Sequence, residues 1–472
     1  MSFTNPRWRD VYVAAAARAV DQGGTMLAAV TLQITLQQRG YGGPLVAALL
    51  LAAAVPPMLL ASIAGRVVDR FDSRRILIVV GLAQAGIALA LAFATTLPAI
   101  LALVSALAAG VAFTSPTLSA LTPAMVGRDN LAKASGLIQS SVTVGLLAGP
   151  ALGGVLVGAF GTRVSLLIDA VSYLAVPIAG LLIQTRRGAG HPVAEPDPVT
   201  AGPAWSIWRD PYVRPVVLLF GLVIAALTAG DVVEVFLVLG TLHASTTLYG
   251  IIGTLWMAGM LVGSALTARA RPGDGRSAAA MMLLLGGTCT VLMVAGTVPA
   301  ASWLLPLWVL GGLANGGENV LAGVLIGRRA PSARRGHAFA IFGGVMNAAT
   351  AVGFAIGGLL MAGSANPRAI MIGTGAAGAA ICLFIGWPLI RAARRTGESP
   401  AIAGVTGTVA AFEAGVAGAG VSRTAAFEAA PVVGAVTDAG VSDAGMTEAR
   451  VDDAGVAEAA RFEAARFGVL PA

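Results

Sequence analysis

From residue 11 to residue 390 the chain alternates between long apolar runs and short polar breaks. A membrane-spanning helix needs about 20 mostly apolar residues, and twelve runs reach that length. They are 11–36, 44–65, 76–96, 98–126, 134–159, 163–184, 213–239, 248–268, 278–298, 303–327, 337–361 and 368–390. The third and fourth are separated only by Leu97-Pro98, which predicts a tight turn there. Backbone polar groups in lipid must be satisfied within the segment, so such runs are helices. The pattern therefore predicts an all-α integral membrane protein with twelve transmembrane helices. Met1 to Asp10 is short and polar and leads into the first run with no cleavage-site pattern, so that run is expected to be retained.

The arginines orient the runs. With an even number of spans both termini share a side, and the loops on that side hold 22 basic residues. They include Arg7, Arg9, Arg66, Arg70, Arg74, Arg75, Arg328, Arg329, Arg334 and Arg335. The other side holds three, Arg39, Arg163 and Arg368. Basic loops stay in the cytoplasm, so both termini are expected to be cytoplasmic.

The runs fall into two sixes around a proline-rich polar loop, 185–212, which ends in Trp205-Ser-Ile-Trp208. The halves 1–184 and 213–396 echo each other. Gly149-Pro-Ala-Leu-Gly-Gly154 and Gly353-Phe-Ala-Ile-Gly-Gly358 lie at an offset of 204, and each is followed by a basic residue, Arg163 or Arg368. Both segments run outward, which predicts a parallel repeat of the kind found in some secondary transporters. Residues 397–472 differ. They are rich in Ala, Gly and Val with an acid every few positions, and short repeats such as Val436-Thr-Asp-Ala-Gly440 recur. No stretch there is long enough to span, and a low-complexity cytoplasmic tail with marginal helix near 447–467 is expected.

Composition narrows the function classes. Charged residues are 11% against 57% hydrophobic, less than half the roughly 25% charge of a soluble domain. The net +7 suggests a nucleic-acid partner only until it is divided. Residues 1–396 hold 26 basic and 13 acidic residues, whereas the tail holds 4 and 10. The positive charge belongs to topology, and no nucleic-acid partner is expected. Cys289 and Cys382 lie in apolar runs, and His191, His243 and His337 are scattered, so no disulfide or metal set is expected. No G-x-x-x-x-G-K-[ST] motif is present, which argues against ATP-driven pumping. One lysine among 30 basic residues, with abundant Ala and Gly, suggests a GC-rich bacterial source.

The loop after the second run reads Gly65-Arg-Val-Val-Asp69-Arg70-Phe-Asp72-Ser-Arg74-Arg75. It resembles the G-x-x-x-D-R-x-G-R-R signature of the major facilitator superfamily, with Asp72 in place of the second glycine. Asp72, Pro123, the 127–141 segment, 149–154 and the Ile168-to-Tyr173 hexad are similar to the macrolide-efflux and siderophore-exporter branch of drug:proton antiporters. The resemblance covers about 7–395 and implies two pseudo-symmetric six-helix halves, transport rather than catalysis, a monomer, and Gly145, Gly149, Pro150, Gly153 and Gly154 as an antiporter-type helix motif. Physically, Asp69 or Asp72 can meet a helix N-terminus and Arg70, Arg74 and Arg75 can pair with carboxylates elsewhere, forming a cytoplasmic latch. Span four lacks the arginine that many such antiporters carry there.

Ionisable residues inside spans are costly and default to function. Arg18 and Asp21 stand i, i+3 at mid-depth, either as a protonatable switch or as a permanent ion pair. Asp231 and Glu234 stand i, i+3 in the outer half of span seven, either taking up protons or facing an outer mouth. Glu318 with Asn315 and Asn319 forms a polar stripe that either lines a cavity, as a proton carrier or as a site for a cationic substrate, or bonds helices together. Asp169 is expected to be structural. Gln22, Thr25, Trp256, Met257, Asn315, Asn319 and Asn347 are candidate cavity residues. The expected function is export of an amphipathic small molecule in exchange for protons across a bacterial cytoplasmic membrane, with no cofactor beyond the proton gradient. An importer or lipid or siderophore translocator, and a scaffold acting through its tail, remain alternatives.

Overall fold

The computed structural model describes residues 6–127, 129–185, 206–210, 213–270, 274–331, 334–363 and 366–395, all within one compact unit. The polar stretch 186–205 and the tail 397–472, with its expected helix near 447–467, lie outside the described residues. The helices are α1 (Trp8–Gln38), α2 (Gly43–Arg70), α3 (Ser73–Phe93), α4 (Leu97–Val126), α5 (Leu131–Ser172), α6 (Ala175–Leu182), α7 (Val213–Val235), α8 (Thr246–Ala270), α9 (Asp274–Ala295), α10 (Leu304–Arg329), α11 (Arg335–Gly363) and α12 (Pro367–Arg395). A π-helical turn, Phe236–Thr241, extends α7, and a 3-10 turn, Ala301–Trp303, precedes α10.

Among the described residues ten helical stretches are long and apolar enough to cross a membrane. One of them, Leu131–Leu182, is 52 residues long and folds back at Gly161. That residue has φ 79°, a left-handed value that a side chain would strain. It therefore supplies two crossings, as the separate runs 134–159 and 163–184 predict. α1 is not among the ten because Arg18, Asp21, Gln22 and Gln33 lower its hydropathy. Arg18, Asp21 and Gln22 are buried inside the bundle, where α1 packs along α5. With α1 there are twelve crossings among the described residues. The turn expected at Leu97-Pro98 lies instead at 94–96, and Pro98 sits in the first turn of α4. There its missing N–H leaves no helical bond unmade.

Exposed side chains such as Leu59, Val79, Phe160, Leu359 and Phe384 form an apolar exterior that water would not support. Loops tie the ends of the helices into two faces. On one face Arg7 N donates to Met125 O, and Asp10 Oδ2 accepts from Gln184 N, Thr185 N and Thr185 Oγ1 at 3.1, 2.8 and 2.7 Å. Arg66, Arg70, Arg74 and Arg75 are on this arginine-rich face. The three arginines of the opposite face have local work. Arg39 donates to Thr95 O, Arg368 caps Gly296 O and Val298 O, and Arg163 lies 5.0 Å over the Phe93 ring.

Candidate functional site

Small residues set how the helices meet. In α5, Gly145, Gly149 and Gly153 lie against the backbone of α1, so that a methyl on Gly149 would overlap Met26 and the carbonyl of Gly23. Gly154 faces the other way, onto Thr246 and Gly250 of α8 in the second half. The echo at offset 204 behaves identically. Gly353 and Gly357 of α11 lie against Ala225, Thr228 and Ala229 of α7, and Gly358 faces Ala47 and Pro44 of α2 in the first half. One motif, used twice, packs a helix inside its own half with one face and against the opposite half with the other. The predicted parallel repeat is thus present in the packing.

The contacts between halves cluster away from the arginine-rich face. α8 and α2 begin at the far face, and Gly154–Gly250, Gly158–Thr246, Gly358–Ala47 and Gly43–Met361 all lie near those beginnings. Tyr249 Oη donates to Gln33 Oε1 at 2.8 Å in the same region. Among the described residues, no substantial packing joins α4 to α10 or α11, the helices that would have to meet to shut the arginine-rich side.

Between the halves lies a central cavity. Its first-half wall includes Met26, Ala29, Val30, Gln33, Leu50 and Pro150. The second-half wall carries Asp231, Glu234, Tyr249, Trp256, Met257, Trp308 and Asn315. A second cavity adjoins it within the first half and shares Met26, Ala29 and Leu50. Arg18, Asp21, Gln22, Thr25 and Tyr173 line that second cavity. Arg18 Nη1 stands 3.7 Å from Asp21 Oδ2, and both residues are almost entirely buried. A buried pair is held by mutual attraction against a large desolvation cost, so neutralising one member destabilises the other.

Glu318 is fully buried and absent from both cavity walls. It accepts from Asn315 Nδ2 at 2.9 Å and from Thr288 Oγ1 of α9 at 3.1 Å. Asn319 donates to Asn315 O at 2.8 Å, so of the polar stripe only Asn315 reaches the central cavity. Asn347 is half-buried on α11 and lines neither cavity. Asp169 is buried against Gly24 of α1 and accepts weakly from Ser172 Oγ at 3.4 Å. Gly65, Asp69, Arg70 and Arg75 are exposed on the arginine-rich face. Asp72 is the N-cap of α3, accepting from Arg74 N at 2.8 Å and Arg75 N at 3.3 Å. The carboxylate thus meets a helix N-terminus of its own loop. Arg74 reaches Leu181 O, a carbonyl rather than a carboxylate.

Two contacts had no sequence signal. Thr254 of α8 and the Gln33–Tyr249 pair look like ordinary polar residues in apolar runs, and their partners are far away in sequence. The Thr254 hydroxyl accepts from Ala151 N at 3.1 Å and donates to Leu147 O at 3.0 Å, beside Pro150.

The family profile of the Major Facilitator Superfamily matches residues 14–240 and 232–439. The chain belongs to the major facilitator superfamily. No curated protein matches the sequence. Among solved structures, a mutant of the nucleoside transporter NupG aligns with a TM-score of 0.64 at 13% identity, over 81% of this chain and 99% of that one. An inward-facing bacterial homologue of the iron transporter ferroportin aligns at 0.64 and 15%, over 82% and 100%. An inward-facing, unoccupied bacterial homologue of the lysosomal transporter Spinster aligns at 0.58 and 14%, over 88% and 97%. At these identities the likeness is one of fold. Family and fold are those of transporters, and in this major facilitator chain a cavity lies between the two halves.

Proposed function

We propose that the protein is a secondary active transporter of the bacterial cytoplasmic membrane that exports an amphipathic small molecule in exchange for protons. The observation that carries this reading is the cavity system itself. An apolar, aromatic chamber lies between two halves whose contacts among the described residues cluster toward one face, and it adjoins a smaller chamber walled by a buried Arg18–Asp21 pair. The excess of basic loop residues supports assigning the arginine-rich face to the cytoplasm, which makes the cavity here cytoplasm-facing. Alternating access then requires the glycine-lined contacts between the halves to part as the arginine-rich side closes. When Asp21 takes up a proton its attraction for Arg18 weakens, and the two side chains in the wall are free to rearrange. This couples protonation to the shape of the chamber.

The test uses proteoliposomes holding the full chain with the arginine-rich face outward. With an acidic lumen, a fluorescent amphipathic dye should accumulate inside, and collapsing the pH gradient with an ionophore should stop uptake. Uptake that ignores the gradient would refute proton exchange.

A further inference from the structure

The second-half wall of the central cavity has a charge composition that proton exchange alone does not require. Asp231 and Glu234 stand one turn apart on α7, and both line the chamber. Glu234 accepts one hydrogen bond, from Trp308 Nε1 at 3.1 Å. Asp231 makes no hydrogen bond or ion pair among the described residues. Among the described residues no lysine, arginine or histidine lines this chamber, and Arg18, in the adjoining one, is paired with Asp21. Two carboxyl groups therefore face an apolar cavity with no protein cation among the described residues, and whenever they are ionised their counter-charge must come from what enters the cavity.

An independent observation comes from the facing helix. Asn315 of α10 is 4% exposed and lines the same chamber. Its Nδ2 is committed to Glu318, and its Oδ1 has no hydrogen-bond partner among the described residues. An unpaired acceptor on a residue that lines the cavity is satisfied when a donor enters beside it and this shielded side chain turns to meet it. Trp256 and Trp308 complete the wall with rings 6.1 Å apart at 64°, so that one ring meets the other edge-on. Aromatic faces attract organic cations, most strongly when water is excluded.

We propose that this wall is the binding site for the transported molecule, and that this molecule is an organic cation with an N–H donor, a protonated amine on an apolar body. Asp231 and Glu234 supply the counter-charge, Asn315 Oδ1 accepts the N–H, and Trp256 and Trp308 hold the apolar body. The inference rests on the transport reading above and divides the labour: the first half carries the Arg18–Asp21 pair and the second half recognises the cargo.

The experiment measures equilibrium binding to the full chain in nanodiscs, with no gradient, so that it stands apart from transport. Three probes share one apolar body: 4-phenylbutylammonium, its N,N,N-trimethyl counterpart and neutral 4-phenylbutanol. The wild type should bind the ammonium roughly tenfold or more tightly than the alcohol, with the trimethyl cation between them. Asp231→Asn removes the charge of a side chain that has no partner to lose, and Glu234→Gln keeps the acceptor that Trp308 uses. The double variant should therefore fold and bind the ammonium within about twofold of the alcohol. An alcohol that binds the wild type as tightly as the ammonium, or a double variant with wild-type affinity for the ammonium, would overturn the cation site. A trimethyl cation binding as tightly as the ammonium would overturn the role of Asn315. Cation binding that survives while gradient-driven uptake is absent would sink the proton-exchange reading and leave the site standing.

Discussion

Thr254 of the second half sits beside Pro150 of the first, with its hydroxyl between the two ends of one helical rung. It accepts from Ala151 N and donates to Leu147 O, a donor and acceptor four residues apart in α5. Proline loosens the helix at this point, and the side chain that satisfies the loosened rung comes from the opposite half. The contact can persist only while α5 and α8 stay together, so it favours the arrangement in which the arginine-rich side is open.

Thr254→Val keeps the shape and removes both hydrogen bonds. We expect it to weaken the α5–α8 contact by about 1–3 kcal/mol, with Thr254→Ser close to wild type. Cross-linking of a cysteine pair across the far ends of α5 and α8 should fall in the valine variant and recover in the serine one. Equal cross-linking in all three would show that the bridge carries no weight.

Gly154 makes the same contact sterically. A methyl there would stand 3.0 Å from Cα of Gly250, and Gly358 meets Ala47 in the equivalent place of the repeat. Gly154→Val and Gly358→Val should each hold the far ends of the halves apart and lower transport turnover at least tenfold. Gly86, which faces open space, is the control. Spin labels on α5 and α8 should report a longer separation in Gly154→Val, and an unchanged distance would contradict the packing argument.

Asp72 departs from the family-like loop signature, and the structure gives it a local task as the cap of α3. Asp72→Ala should cost about 1 kcal/mol, seen as a lower melting temperature in detergent, and Asp72→Ser should recover most of it. If Asp72→Ser transports poorly at full stability, the carboxylate has a role in gating beyond the cap.

These residues also show what could be read in advance. The Gly149–Gly154 and Gly353–Gly358 echo was visible as a repeat because the same packing problem is solved twice in one chain. The burial of Arg18 and Asp21 was visible because charge inside an apolar run has few places to go. The position of Glu318 was not. A polar stripe on one helix face fits a cavity wall and an interhelical bond equally well, and the choice depended on Thr288 of a different helix. The Thr254 bridge was hidden for the same reason, since nothing local says which helix of the other half will stand beside Pro150. Pro98 misled by position alone. A proline beside a short break reads as the turn, yet it also suits the first turn of the helix that follows.

The central claim is that protons are exchanged through the Arg18–Asp21 pair, and Asp21→Asn in proteoliposomes tests it most directly. Two activities are measured on the same preparation: uphill accumulation of a labelled amphipathic cation driven by an imposed pH gradient, and gradient-free exchange of labelled for unlabelled substrate. The variant should retain exchange, because the cargo wall lies in the other half, and should lose gradient-driven accumulation, with its melting temperature in detergent measured alongside to account for the Arg18 charge left buried. Accumulation that persists undiminished in Asp21→Asn would contradict the assignment of Asp21 to the coupling step.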